Sequence, residues 1–270
     1  MSVITISRGS CSGGKMLAEC LARKLGYKSI DRDTIVEKAA SFGVSQQALR
    51  TALEQPPKFF GQSKHTRYVY LALIQAALTQ EVWNGAAIYH GLGGHLLLGG
   101  VPHVLRTRII APMEFRIRMV EERLQLPRTE AIAYIEKTDQ ERRKWTHFLY
   151  GVDWVDASLY DIVLNLEHMT VEEACETVCA MTLLKSFEFT PECERAMDDI
   201  ALASRIRANL AIDPATSDLE LEVAAHSGSV VVRGELLTAN QASDVRRIAR
   251  ANPGVHSVHL NDLTVMASRF

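Results

Sequence analysis

Ser7-Arg8-Gly9-Ser10-Cys11-Ser12-Gly13-Gly14-Lys15-Met16 is the stretch whose reading decides the fold. An apolar run, Val3-Ile4-Thr5-Ile6, leads into it, and an amphipathic segment, Leu17 to Leu25, follows. Strand, glycine-rich turn and helix, in that order, form the setting of a phosphate-binding loop. Gly9-x-x-x-x-Gly14-Lys15 keeps the spacing of such a loop up to its last position. Glycines let successive backbone N–H groups turn towards one anion, and the helix N-terminus adds partial positive charge. Lys15 is spaced to reach the β- and γ-phosphates of a nucleotide. Met16 stands where a Ser or Thr hydroxyl would hold Mg²⁺, and a thioether is a poor ligand for a hard cation. Three arrangements stay open. Ser10 or Ser12 supplies the missing oxygen, phosphate and water hold the metal alone, or the loop binds without full catalysis.

Outward from the loop, strands and helices alternate. Tyr27–Asp31 reads as a short strand that ends in Asp31-Arg32-Asp33, and Thr34–Ala40 as a helix. Ligands of α/β proteins gather at the carboxyl ends of strands, which marks Asp31. Gln55-Pro56-Pro57-Lys58-Phe59-Phe60-Gly61 breaks the helical pattern and reads as a lid, an acceptor-pocket wall or a plain connector. From His65 to Trp83, Tyr68, Leu71, Ile74, Leu78 and Val82 recur at helical spacing. Ala86–Tyr89 is a buried strand, and the glycines of His90-Gly91-Leu92-Gly93-Gly94-His95 point to close backbone approach or a tight turn. Val104–Ile110 is the next strand. Met113–Leu124 is a helix carrying Arg116, Arg118 and Arg123, and Thr129–Thr138 runs on helically through Asp139 to Trp145. Tyr160–Asn165 closes the strands, and Thr170-Val171-Glu172-Glu173 opens a helix with a capping box. This order predicts an α/β fold with a doubly wound parallel sheet.

The texture changes near residue 190. Residues 191–270 hold no lysine, eight arginines and eleven acidic residues. Met197–Leu210 reads as a helix, Leu219–Val223 and Val230–Gly234 as strands joined by a Ser227-Gly228 turn, Ala239–Ala251 as a helix and Val255–Val265 as a final strand. The order α-β-β-α-β is a compact α+β module. The chain therefore divides into residues 1–190 and 191–270, each expected to fold alone. The 270 residues include 47% apolar and 23% charged side chains, with a net charge of −2. That balance gives no electrostatic case for nucleic acid or an anionic membrane. No run is long enough for a transmembrane helix, and no secretory leader is apparent. Five scattered cysteines suggest reduced thiols and a cytoplasmic protein. Cys175 and Cys179 lie four apart on a helix and read as core packing, not as a metal clip.

With these pieces placed, residues 1–190 resemble the cytidylate-kinase-like family of P-loop kinases, within the nucleoside monophosphate kinase group. The resemblance rests on Ile4-Thr5-Ile6-Ser7-Arg8 with Ser12-Gly13-Gly14-Lys15, and on Asp31-Arg32. It rests further on Arg108-Ile109-Ile110-Ala111-Pro112-Met113-Glu114-Phe115-Arg116, on Asp139-x-x-Arg142 and on Tyr160–Asn165. The last 80 residues are similar to a BON domain, through Val232-Arg233-Gly234 and Asn252-Pro253-Gly254-Val255-x-x-Val258. The resemblance implies ATP-dependent phosphoryl transfer, with Mg²⁺, to a nucleotide or another small-molecule acceptor. Gly9, Ser10, Cys11, Ser12, Gly13, Gly14, Lys15 and Met16 would cradle the donor, with Lys15 on its phosphates. Arg142 would close over the transferring group, Asp139 would orient it, and Asp31 would lie by acceptor or metal. Arg32, Arg116 and Arg143 would contact substrate.

Departures from the family pattern bear on activity. Gly91-Leu92-Gly93 replaces a Gly-Arg-Gly, Lys137 is the nearest match to an upstream lid arginine, and Met16 lacks the metal hydroxyl. Two readings follow: an active small-molecule kinase, or a nucleotide-binding sensor that signals through protein or ligand contact at the BON-like module.

Overall fold

A computed structural model describes residues 2–49, 64–91 and 93–265. The Gln55–Gly61 loop and Leu92 lie outside the described residues. The chain packs as two units, residues 1–32 with 84–189 and residues 33–83 with 190–270.

The first unit is built on a parallel sheet of β1 (Val3–Arg8), β2 (Lys28–Ile30), β3 (Ala87–Tyr89), β4 (Val104–Ile110) and β5 (Ile162–Asn165), in the order β2-β3-β1-β4-β5. Every pairing is parallel, which requires helical crossovers. β1 is the middle strand, so the loop after it opens at the centre of the sheet's carboxyl edge. Ile4 and Ile6 face a core shared with Leu17 and Leu21 of α1 (Gly14–Leu25) and with Ala174, Cys175 and Val178 of α7 (Val171–Met181). The capping box at Thr170 and Glu173 starts α7, as the sequence predicts. Cys20 joins Cys175 and Cys179 in this core. Cys20 is distant from that pair in the chain, and burial among apolar side chains raises the pKa of Cys175. Residues on the alternate side of β1 face the other way. Thr5 lies beneath the short α4 (Gly94–Leu97), and Ser7 Oγ hydrogen-bonds the Tyr160 hydroxyl at 2.9 Å. Gly94 has no room for a side chain, because a Cβ there would sit 2.3 Å from the Tyr89 ring. The close approach expected of these glycines is to an internal aromatic. α5 (Met113–Leu124) and α6 (Arg128–Tyr150) pack on each other through Ile117, Val120, Ala131 and Ile135.

The second unit joins α2 (Arg32–Ala40) and α3 (Lys64–Val82) to the C-terminal module: α8 (Pro191–Ile212), β6 (Glu222–His226), β7 (Ser229–Leu236), α9 (Gln241–Arg250) and β8 (Ser257–Val265). The hairpin turn is Ser227-Gly228, with φ of 46° and 79°, the positive pair a tight two-residue hairpin turn needs. β8 returns parallel to β7 after α9. Ile206, Leu210, Leu219, Leu221, Val230, Val232, Ile248 and Val258 are buried in one core, with Val223 and Leu260 at its margin.

The second unit resumes at Thr190, near the boundary read from sequence, and it also takes in residues 33–83. α3 runs antiparallel to α8, and polar side chains tie the two. Gln75 accepts from Arg207 (2.6 Å), the hydroxyls of Thr79 and Ser204 meet at 2.9 Å, and Trp83 Nε1 donates to Asp198 (2.6 Å). Tyr68 Oη donates to the Leu221 carbonyl at 2.9 Å. Ala72, Leu73, Ile74, Ala76, Ala77, Leu78, Thr79 and Val82 are all buried, far more than one helical stripe. A helix apolar on most sides is an embedded one.

Candidate active site

β1 delivers the glycine-rich loop and α1 receives it. Cys11 and Gly13 take left-handed conformations (φ 54° and 83°), which curl the loop, and Gly13 caps α1. Ser12 Oγ donates to the Gly9 carbonyl (3.0 Å) and to that of Ile109 (3.3 Å), fastening the loop to β4. Gly14 is sterically required, since a Cβ there would stand 2.4 Å from Cδ of Arg8. Arg8 thereby crosses the start of α1.

Above the loop lies a cleft of about 220 Å³. Ser10 to Met16 form its floor, and Arg8, Arg123, Arg142, Met119, Leu124 and Tyr134 its walls. Three arginines converge here with little compensating charge. Burial, then Arg142 and Arg123, press the Arg8 pKa down to about 10. Burial also lowers Arg142, with Asp139 opposing and Arg32 adding to the shift. Asp31 exerts its field on Arg8 and on the buried His90, which places this carboxylate near the cluster. Arg8 and Arg142 are half-buried and Arg123 is exposed, and a cleft lined by one sign of charge draws the opposite sign. Arg8 and Arg123 were not singled out from sequence as site residues. The signal for Arg8 was its place between strand and first glycine.

Lys15 is largely exposed and turned along α1, its Nζ 3.7 Å from Glu19. Met16 is 40% exposed at the cleft floor. The loop serines direct their protons away from the cleft, Ser12 to carbonyls and Ser10 Oγ to Asp139 at 2.7 Å. Hard oxygen donors are therefore scarce. Among the described residues no three His, Cys, Asp or Glu side chains are grouped to hold a metal. The donor set suits a Mg²⁺ that keeps its water and phosphate oxygens, with Asp31 as the carboxylate in the vicinity.

Asp139 does not hydrogen-bond Arg142, contrary to the expectation from their spacing. It accepts from Ser10 N (2.9 Å), Ser10 Oγ (2.7 Å) and Arg116 Nη2 (2.5 Å). Burial works to raise its pKa, and these three donors overcome that and hold it below the usual carboxylate range. Arg116 also donates from Nε to the Ser10 carbonyl at 2.8 Å, so α5, α6 and the loop are clamped together. Arg142 Nη1 instead donates to the Arg8 carbonyl at 3.3 Å. Arg143 pairs with Asp153 (3.0 Å) and lies outside the loop's cleft. Arg32 opens α2 and is felt by Arg142.

A second cleft of about 420 Å³ lies behind the loop, lined among others by Gly9, Ser12, Arg108, Arg116, Arg143 and Trp154. Arg116 and Arg143, which the family resemblance assigns to substrate, both line it.

Residues 3–168 match the model of the cytidylate kinase-like family. The chain belongs to that family. Residues 198–267 match the BON domain. A cytidylate kinase of Ignicoccus hospitalis is 26% identical over 187 residues, covering 68% of this chain and all of the relative. A cytidylate kinase of Thermococcus sibiricus is 30% identical over 164 residues, 60% of this chain and 78% of the relative. Among solved structures, an uncharacterized protein from Eubacterium ventriosum superposes with a TM-score of 0.53 at 16% identity, covering 67% of this chain and 97% of that one. This last likeness concerns the fold alone. No helix among the described residues is long and apolar enough to cross a membrane.

Proposed function

We propose that this chain is a cytoplasmic phosphotransferase that moves the γ-phosphoryl group of ATP to a nucleotide or another small hydroxyl or phosphate acceptor. The observation that carries the reading is the convergence of Arg8, Arg123 and Arg142 on a glycine-rich loop at a helix N-terminus. Phosphoryl transfer needs little covalent help from protein. It needs alignment and neutralisation of charge that spreads over the phosphoryl oxygens. Loop amides from Gly9 to Gly14 would cradle the β-phosphate, and Lys15 would leave Glu19 and swing onto the phosphates. Arg142 and Arg8 would face the transferring group, and Met119, Leu124 and Tyr134 offer apolar wall to a base. Asp139 and Arg116 fix the loop. Asp31 and Arg32, whose charges reach Arg8 and Arg142, would meet the acceptor, while Arg143 is paired with Asp153 and lines the second cleft. Mg²⁺, when bound, would supply positive charge to the phosphates, with Asp31 as the carboxylate near enough to help hold it. The relatives' name makes CMP the first acceptor to try.

The test is Lys15→Ala. Loss of one charge-assisted contact of roughly 1.5–3 kcal/mol should weaken ATP affinity or slow turnover about tenfold or more. Unchanged calorimetric affinity and unchanged turnover would remove the donor site from this loop. Met16, which offers no oxygen to a metal, supports a second reading: a slow or inactive nucleotide sensor that signals through ligand or protein contact at the BON module. Tight ATP binding with no transfer to any acceptor would favour it.

A further inference from the structure

The three arginines of the second cleft differ in how their charges are met. Arg116 is paired with Asp139, and Arg143 with Asp153. Arg108, on β4, has no carboxylate partner among the described residues. Its Nη1 donates to the Trp154 carbonyl (2.8 Å) and weakly to Ser7 Oγ (3.4 Å), both uncharged. Its guanidinium carbon lies 4.5 Å from the Trp154 ring centroid and 5.5 Å from that of Tyr160. Only 6% of Arg108 is exposed, and the residue lines the cleft. Nε and Nη2 make no hydrogen bond to the described protein, yet neither is sealed from solvent. Asp153, close enough to feel the charge of Arg108, is held at two points by Arg143 (3.0 and 3.3 Å). Glu136 lies exposed on the lining.

A cation so far withdrawn from water is costly unless an anion reaches it. Its rigid fork of donors is shaped for two oxygens of one carboxylate or phosphate. We propose that this cleft binds a small molecule through an oxyanion, a carboxylate or a phosphate group, with Arg108 as the deep counter-charge and Trp154 holding the guanidinium flat. The site is separate from the loop's own cleft and does not depend on the donor reading. About 420 Å³ is room for a small metabolite, and Gly9 and Ser12 in its wall put the occupant in touch with the phosphate loop.

The experiment uses the full chain. Inorganic phosphate in one arm and succinate in the other are titrated against tryptophan emission and against the Nε–H resonance of Arg108, which its loss in Arg108→Lys identifies. Each titration is repeated with a non-hydrolysable ATP analogue present and again on Lys15→Ala, so that binding in the loop's cleft is told apart. Saturable binding of either probe that shifts the Arg108 resonance, survives Lys15→Ala and weakens at least tenfold in Arg108→Met supports the site. The arm that responds names the oxyanion. Three results overturn the proposal: neither probe binds the unaltered chain, the Arg108 resonance stays in place at saturation, or Arg108→Met folds and binds as before. The first two need no variant that lacks the arginine's charge, so a misfolded Arg108→Met leaves the test intact.

Discussion

Replacing Asp139 by asparagine keeps the shape of the side chain and removes its charge. Asp139 ties the phosphate loop to α6 through Ser10 N and Ser10 Oγ, and to α5 through Arg116. Asparagine can still accept from Ser10, but its amide then presents N–H groups to the guanidinium. The ion pair is partly withdrawn from water, with side-chain exposures of 13% and 26%, so solvent screens it less than a surface pair. Losing one charge-assisted contact and leaving a mismatched donor should cost about 2 kcal/mol. For a chain of this size that lowers the melting temperature by roughly 4–8 °C. The sign of the pH dependence follows from the depressed pKa of Asp139. A carboxylate whose folded pKa lies below its unfolded value, about 3.9, stabilises above that value, and the contribution fades as pH falls through the folded pKa. Calorimetric melting of both proteins should therefore show the full gap near neutral pH and a shrinking gap below about pH 4. Equal melting points at neutral pH, or a gap that persists undiminished in acid, would refute the clamp.

Met16→Ser should tighten Mg·ATP more than metal-free ATP, measured by calorimetry with and without EDTA. Equal gains would mean that another oxygen already serves the metal. Arg142→Ala should depress turnover far more than ATP affinity, and a raised Michaelis constant at constant turnover would assign Arg142 to ground-state binding. A chain cut after residue 190 loses the partners of Tyr68, Gln75, Thr79 and Trp83. It is expected to melt well below the full chain or to aggregate, and a soluble fragment with the full chain's melting point would show that α3 does not need α8.

The sheet was legible because its signals are local. An apolar run, a glycine turn and an amphipathic helix leave little choice about β1 and α1, and Val104–Ile110 and Met113–Leu124 keep their predicted bounds. The loop itself was legible for the same reason. Its surroundings were not. The Asp139-x-x-Arg142 spacing says the two share a helix face, but not that Ser10, on another element, outcompetes Arg142 for the carboxylate. Arg108 sits among apolar strand residues and reads as an interruption until Trp154 and Tyr160 are folded against it. The pairing of α3 with α8 was invisible because composition marks a boundary at residue 190 while packing crosses it. A helix buried on most sides carries no strong stripe to show which partner it awaits.

The contact between Thr79 and Ser204 spans 125 residues of chain. A ribosome adding ~5–20 residues each second would release α3 roughly 6–25 s before the α8 residue it meets. β3, β4 and β5 follow β1 and β2 out within that interval, so all five strands of the parallel sheet are made before the contact can form. The nascent chain can thus complete its phosphate loop while Gln75 and Thr79 of α3 still lack their partners on α8. Its yield in cells is therefore expected to depend on translation speed through the last eighty codons.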